Sequence, residues 1–353
     1  IFSEAKTSVE LYNLFSAEEI EDITKQIDQN GFAVRKIANE VSSEGIYCIK
    51  AYAHADDSLI AKHIIGYTDL EGNGVCGLEA AYNETLICED KNQIIFTIDG
   101  QGKIIDGYST ELNFNYNIQN SGVQITIDKN IQQIAEQKAV NINCGAVVIT
   151  EIKTGKIRAL VSRPDYKLSD LASAVTDENE PMLNRALCTY NIGSVFKPLV
   201  AAVGYESGKT MATECNGYAN IDGLTFACHK TGGHGAVNLS TALKYSCNTF
   251  FYQFIQRLST DNLFSLAKKA GLDSSLYLCN GISASKGNLG ETNAVRLSKR
   301  DMANISIGQG ELMTSPIAIT NLYMAIANGG TYTPPSLIEG YVENLELARG
   351  QTK

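Results

Sequence analysis

Apolar residues along the chain switch between two periods, and the switches mark its elements. The run VQITID (123–128) alternates as a strand does, and KNIQQIAEQKAV (129–140) then repeats apolar residues at helical spacing. GAVVITEI (145–152) and IRALVS (157–162) are β-prone runs joined by the short turn KTGK, which predicts a hairpin whose outer face helices must cover. LVAAVGYESG (199–208) is apolar on all sides, the mark of a buried helix. Helical pattern returns over LSTALKYSCNTFFYQFIQRL (239–258) and DNLFSLAKKAGL (261–272), the second ending at Gly271. Before 123 the texture differs: AEEIEDITKQIDQNG (17–31) has a charged helical pattern, and QIIFTIDGQGKIIDG (93–107) contains strand-like runs. The expectation is a mixed α+β domain over 119–353 behind a smaller N-terminal domain over 1–118.

A 353-residue chain with 44% hydrophobic and 19% charged residues buries a sizeable core. Its formal charge of −10, with no basic run, argues against nucleic acid and other polyanions as partners. No apolar run approaches a membrane span, and IFSEAKTSVELYN at the start has neither a basic n-region nor an h-region, so the expectation is a soluble chain from which an anchor has been removed.

Nine cysteines are scattered without a CxxC pair. His229 and His234 have the spacing of a zinc half-site, but Cys215 and Cys228 are too far apart for the usual C-x2-4-C half. A Cys215–Cys228 disulfide or two unpaired thiols therefore stand ahead of a metal. No metal or other cofactor is expected to be required.

Chemistry concentrates in YNIGSVFKPLV (190–200). Ser194 and Lys197 are three apart, hence on one face of a helix, with Pro198 tolerated in its first turn. A serine becomes a nucleophile when a base accepts its proton, and apolar neighbours such as Val195, Phe196 and Leu199 lower the pKa of a lysine toward that task. Ser-x-x-Lys occurs four times, starting at Ser3, Ser194, Ser265 and Ser283; the other three lie in polar, solvated sequence and read as surface residues. Ser246-Cys247-Asn248 is the only Ser-x-Asn, 52 residues beyond Ser194 and ahead of a strongly aromatic run, where a loop between two helices would aim a hydroxyl and a carboxamide at the lysine and a substrate. Serine and asparagine also populate ordinary caps and turns.

Together the two motifs carry the signature of penicillin-binding proteins and serine β-lactamases. HIIGYTDLEGNGVCGLEAAYNETL (63–86), VQITIDKNIQQIAEQ (123–137), GAVVITEIKTGKIRALVSRPDY (145–166), LNRALCTYNIGSVFKP (183–198), GHGAVNLSTALKYSCNTFFY (233–252) and SIGQGELMTSPIAITNLYMAIANGG (306–330) resemble successive landmarks of class B penicillin-binding proteins, the monofunctional peptidoglycan transpeptidases. The resemblance implies an antiparallel sheet flanked by helices behind an N-terminal pedestal. It further implies Ser194 as the acylated nucleophile, Lys197 as its base, Ser246 as a proton shuttle, Asn248 as a binder of the substrate peptide, and the backbone N–H of Ser194 in the oxyanion hole. Implied partners are peptidoglycan stem peptides, β-lactams, and a membrane glycosyltransferase with division or elongation proteins. The implied location is the extracytoplasmic face of the bacterial membrane.

Two departures stand out. Ile192 occupies a position where these enzymes usually carry proline. The family's third motif, Lys-Thr/Ser-Gly on a cleft strand, has only out-of-order counterparts, Lys153-Thr154-Gly155 in the hairpin turn and Lys230-Thr231-Gly232 ahead of Ser246. Both read as turns, so the expectation is a chain cut before that strand. Other readings are a β-lactamase, for which no Glu-x-x-x-Asn loop stands in a convincing place, and a β-lactam sensor or non-catalytic scaffold.

Overall fold

The computed structural model describes residues 33–38, 46–52, 59–69, 73–86, 93–97, 111–113 and 122–342. The charged pattern at 17–31, positions 98–107 and the final GQTK lie outside the described residues. Among the described residues no helix is long and apolar enough to cross a membrane.

The chain divides into two compact units, the first formed by Ile1–Ile125, Pro164–Met182 and Ile338–Lys353. It contains a four-stranded antiparallel sheet in the order β1 (Ala33–Ala38), β2 (Ile46–Tyr52), β3 (Gln93–Thr97) and β4 (Glu111–Asn113). β5 (Gly122–Ile125) pairs antiparallel with Ile338–Val342. Lys62 is buried here without becoming a functional cation: its amine donates to the Tyr166 carbonyl at 2.7 Å and faces the Asp165 carboxylate at 3.0 Å, which compensates its desolvation.

The second unit comprises Thr126–Arg163 and Leu183–Leu337. Asp128 caps α1 (Lys129–Lys138) by accepting from the Ile131 N–H at 2.9 Å. Small residues on α1 and on the 3-10 turn that follows it (Ala139–Asn141) let them lie close on the predicted hairpin, β6 (Gly145–Thr150) and β7 (Ile157–Arg163): Ala135 and Ala139 pack on Ala159 and Val161. Gln132 is fully buried, and its amide donates to the Leu160 carbonyl and accepts from the Leu160 N–H, so the polar group is satisfied. Helix Pro316–Ala327 covers β6. Helices thus flank the hairpin as its pattern requires.

A second core is aromatic. Around it gather α2 (Lys197–Glu206), α3 (Leu239–Lys244), α4 (Asn248–Phe254), α5 (Thr260–Lys269) and α6 (Lys299–Ser306). Phe196, Leu199, Phe250, Phe251, Phe254 and Leu263 are at most 1% exposed. Gly204 allows the close approach of α2, since a Cβ there would stand 2.5 Å from the Phe254 ring.

The helical pattern of 239–258 breaks at Ser246, where the loop between two helices was expected. Ser246 takes φ +52°, its N–H bonds to the Leu243 carbonyl at 3.1 Å, and the Cys247 N–H bonds back to Ala242 at 2.8 Å. This is the paired closure that ends helices at a left-handed residue, usually glycine. Apolar periodicity does not register such a stop, because both helices turn the same kind of face to the core.

Short strands frame these helices: β8 (Tyr190–Asn191), β9 (Ala212–Cys215), β10 (Tyr218–Ile221), β11 (Leu224–Ala227), β12 (Gly235–Asn238) and β13 (Met313–Thr314). They pair antiparallel as β8 with β13, β9 with β12 and β10 with β11.

Candidate active site

Ser194 sits in a 3-10 turn, Gly193–Phe196, that runs directly into α2. The turn is held from outside. The Gly193 N–H donates to Gly308 at 2.9 Å, the Asn191 side chain donates to the carbonyls of Gly310 and Leu312, and the Tyr323 hydroxyl donates to Val195 at 3.2 Å. Gly193 (φ +61°) and Gly308 (φ +69°) press together, and a Cβ on Gly308 would stand 2.1 Å from the Gly193 carbonyl oxygen. Gly308, inside the landmark SIGQG, had no role assigned from sequence; only the structure places it under the serine turn.

Ser194 is exposed while Lys197 is 1% exposed, so the hydroxyl faces incoming molecules and the amine stays dry. Nζ of Lys197 lies 3.0 Å from Oγ of Ser194, 2.9 Å from Oγ and 2.7 Å from the carbonyl oxygen of Ser246, and 2.6 Å from Oδ1 of Asn248. The left-handed Ser246 turn is what lets one residue present both oxygens to the amine. The Phe251 ring completes the enclosure, its centroid 5.5 Å from Nζ. Burial pulls the Lys197 pKa down to about 8, against an opposing pull from the Cys228 and Cys247 thiols.

The four residues singled out in the sequence therefore meet around one nitrogen. The other Lys-Thr-Gly lysines lie elsewhere: Lys153 is exposed in the β6–β7 turn, and Lys230 is exposed in the loop between β11 and β12. Among the described residues neither hydrogen-bonds to Ser194 or Ser246.

Cys215 and Cys228 are free buried thiols rather than a disulfide. The His229 and His234 rings lie 5.0 Å apart, but they meet the thiols differently. Nδ1 of His234 lies 3.5 Å from Sγ of Cys215 and 3.7 Å from Sγ of Cys228, whereas the exposed His229 approaches only Cys228, at 3.9 Å.

A serine hydroxyl against a buried amine, beside a second serine and an asparagine, suits acyl transfer. Residues 145–353 match the penicillin binding protein transpeptidase domain. The chain belongs to the penicillin-binding protein transpeptidase family. Stage V sporulation protein D of Bacillus subtilis is 27% identical, the match covering 88% of this chain and 49% of that protein. Peptidoglycan D,D-transpeptidase PbpA of Mycobacterium tuberculosis is 32% identical, with 65% and 50% covered. The chain spans about half the length of the curated relatives it matches. Penicillin-binding protein PBP2 of Helicobacter pylori superposes with a TM-score of 0.67 at 21% identity, covering 84% of this chain and 61% of that one. The penicillin G acyl-enzyme of penicillin-binding protein A from M. tuberculosis superposes with a TM-score of 0.66 at 23% identity, covering 88% and 72%. The mixed α and β architecture is thus that of the family's penicillin-binding members.

Proposed function

We propose that this chain carries the acyl-transfer chemistry of a class B peptidoglycan D,D-transpeptidase. The observation that carries the reading is the single buried amine of Lys197 within hydrogen-bonding distance of Ser194, Ser246 and Asn248. In its neutral form Lys197 takes the Ser194 proton as Oγ attacks the penultimate D-Ala carbonyl of a stem peptide. The 3-10 turn offers the Ser194 N–H to the developing oxyanion, and Ser246 relays the proton to the departing amine of terminal D-Ala. Asn248 orients the peptide. An amine from a neighbouring stem then attacks the acyl-enzyme, forming the cross-link and restoring the hydroxyl. β-Lactams acylate the same serine as substrate mimics.

The reading places the protein at the extracytoplasmic face of the bacterial membrane, working with a glycosyltransferase and with division or elongation proteins. One structural neighbour, PBP2 of H. pylori, was captured in complex with MreC, which supports an assembly of that kind.

Turnover of a D-Ala-D-Ala thioester by the full-length protein tests the activity. Release of free thiol is expected in wild type and its loss in Ser194→Ala. A well-folded wild-type protein that binds penicillin without turning over the thioester would instead be a sensor or scaffold.

A further inference from the structure

Carbonyl oxygens around the Ser194 turn are engaged within the fold. That of Ser194 accepts the Lys197 N–H, that of Val195 the Tyr323 hydroxyl, that of Gly308 the Gly193 N–H, and those of Gly310 and Leu312 the Asn191 carboxamide. The Gly193 carbonyl is covered by Gly308. In the α3–α4 turn the Ser246 carbonyl and Oδ1 of Asn248 are held by the Lys197 amine, so the Asn248 carboxamide has only its N–H groups left to offer. One acceptor beside the nucleophile is not used. Gln309 is exposed, as Ser194 is, and its Nε2 lies 3.8 Å from where a Cβ on Gly193 would stand. Nε2 donates to the Gly308 carbonyl at 3.3 Å, and among the described residues Oε1 takes no hydrogen bond.

The backbone holds Gln309 in that place. Gly308 (φ +69°) and Gly310 (φ +89°) flank it in the left-handed region, and its own N–H donates to the Asn304 carbonyl at 3.0 Å, tying it to α6. The bond from Nε2 to Gly308 then turns the carboxamide toward the residue that precedes the nucleophile, with Oε1 left for a partner from outside. Gln309 reaches the turn from the segment between α6 and β13, whereas Ser246 and Asn248 reach it from the α3–α4 turn. The groups that move protons and this spare acceptor therefore belong to different parts of the fold.

We propose that Gln309 selects the nucleophile that receives the acyl group: its Oε1 accepts an N–H of the primary amine on the incoming stem and so favours transfer over hydrolysis. A neutral primary amine has one lone pair, two N–H bonds and its carbon chain. The lone pair attacks the ester carbonyl on Ser194, and one N–H gives its proton to the Ser246–Lys197 pair. The other N–H is screened from solvent by the carbon chain and depends on an acceptor from the protein; left without one, it costs the step free energy. An attacking water has no chain, so solvent serves its second O–H. As the new C–N bond forms, the bond from the acyl carbon to Oγ breaks, Oγ takes back the proton that the base received, and the N–H on Gln309 becomes that of the cross-link amide. The inference deepens the proposed function and rests on it.

The test is the partition of the acyl-enzyme. Full-length protein turns over the D-Ala-D-Ala thioester with glycine amide as acceptor, and mass spectrometry gives the ratio of transfer product to hydrolysis product. That ratio is set after thiol release, so neither the folded fraction nor the rate of acylation moves it. Gln309→Leu is expected to lower it roughly tenfold, the worth of one hydrogen bond, and Gln309→Glu, which keeps an oxygen acceptor, to hold it within a few-fold of wild type. With N-methylglycine amide, a secondary amine that has no second N–H to donate, wild type and Gln309→Leu should give the same ratio. If Gln309→Leu does not fold, Gln309→Ala is read in its place. A ratio unmoved by loss of the carboxamide, an equal fall with both amines, an equal fall in Gln309→Glu, or a wild type that only hydrolyses would overturn the inference while thiol release upholds the proposed function. A wild type that releases no thiol would overturn the proposed function and this inference with it.

Discussion

Nζ of Lys197 lies 3.0 Å from Oγ of Ser194 and 2.9 Å from Oγ of Ser246, so one amine touches both hydroxyls. With the Ser246 carbonyl and Asn248 Oδ1 it faces four oxygens, one more than an ammonium has protons. On losing a proton the amine keeps two N–H donors for the carbonyl and carboxamide oxygens and gains a lone pair that can accept from one of the two hydroxyls. With Ser194 as that donor, the serine is ready to attack.

Ser194→Ala is accordingly expected to abolish covalent labelling by fluorescent penicillin in the full-length protein. Lys197→Ala should slow labelling by ~10²–10⁴-fold, the usual contribution of a general base. Gel fluorescence against time measures both, and labelling that survives Ser194→Ala would move the nucleophile elsewhere.

The labelling rate should depend on pH through Lys197. Burial lowers its pKa to about 8, so the neutral base is the minor form below that value. The rate should rise about tenfold per pH unit below about 8 and level off above it. A rate that falls as pH rises through this window would mean that the protonated amine is the active form.

Gly308→Ala tests the support beneath the serine. A Cβ there would meet the Gly193 backbone rather than a flexible side chain, and φ +69° disfavours any replacement. The Ser194 turn must shift, and labelling per folded molecule should slow by roughly 10²-fold, as for a reacting group misplaced by about 1 Å. Stopped-flow acylation with circular dichroism as the folding control distinguishes this from simple unfolding.

Gly204→Ala should destabilise the second unit by about 1–3 kcal/mol, because the new methyl must displace the fully buried Phe254 ring. Denaturant unfolding measures the loss. Combining it with Phe254→Leu should cost less than the two separate losses added together, since the smaller side chain makes room.

The candidate site was legible because its signals are local or paired. Ser194 and Lys197 share a turn, and Ser246 and Asn248 form a unique tripeptide, so each half could be found before knowing that they meet. The α1 and β6–β7 packing was legible from period alone. Of the cysteine and histidine cluster, Cys215, Cys228 and His234 were picked out by residue type, but their spacing argued against their meeting. Here Cys215, Cys228 and His234 come from three separate turns, and Cys247 was visible only as the middle of Ser-x-Asn. The break at Ser246–Asn248 was expected from the tripeptide, but not its left-handed serine, which has no compositional mark.

Ser246 sits where backbone physics asks for glycine or asparagine, and the strain of a left-handed serine is of the order of 1–2 kcal/mol. Laboratory evolution for heat resistance alone would therefore drift toward Ser246→Gly or Ser246→Asn. Such clones would survive the oven with the amine of Lys197 deprived of one hydroxyl, and a screen that never asks for turnover would rank them as improvements.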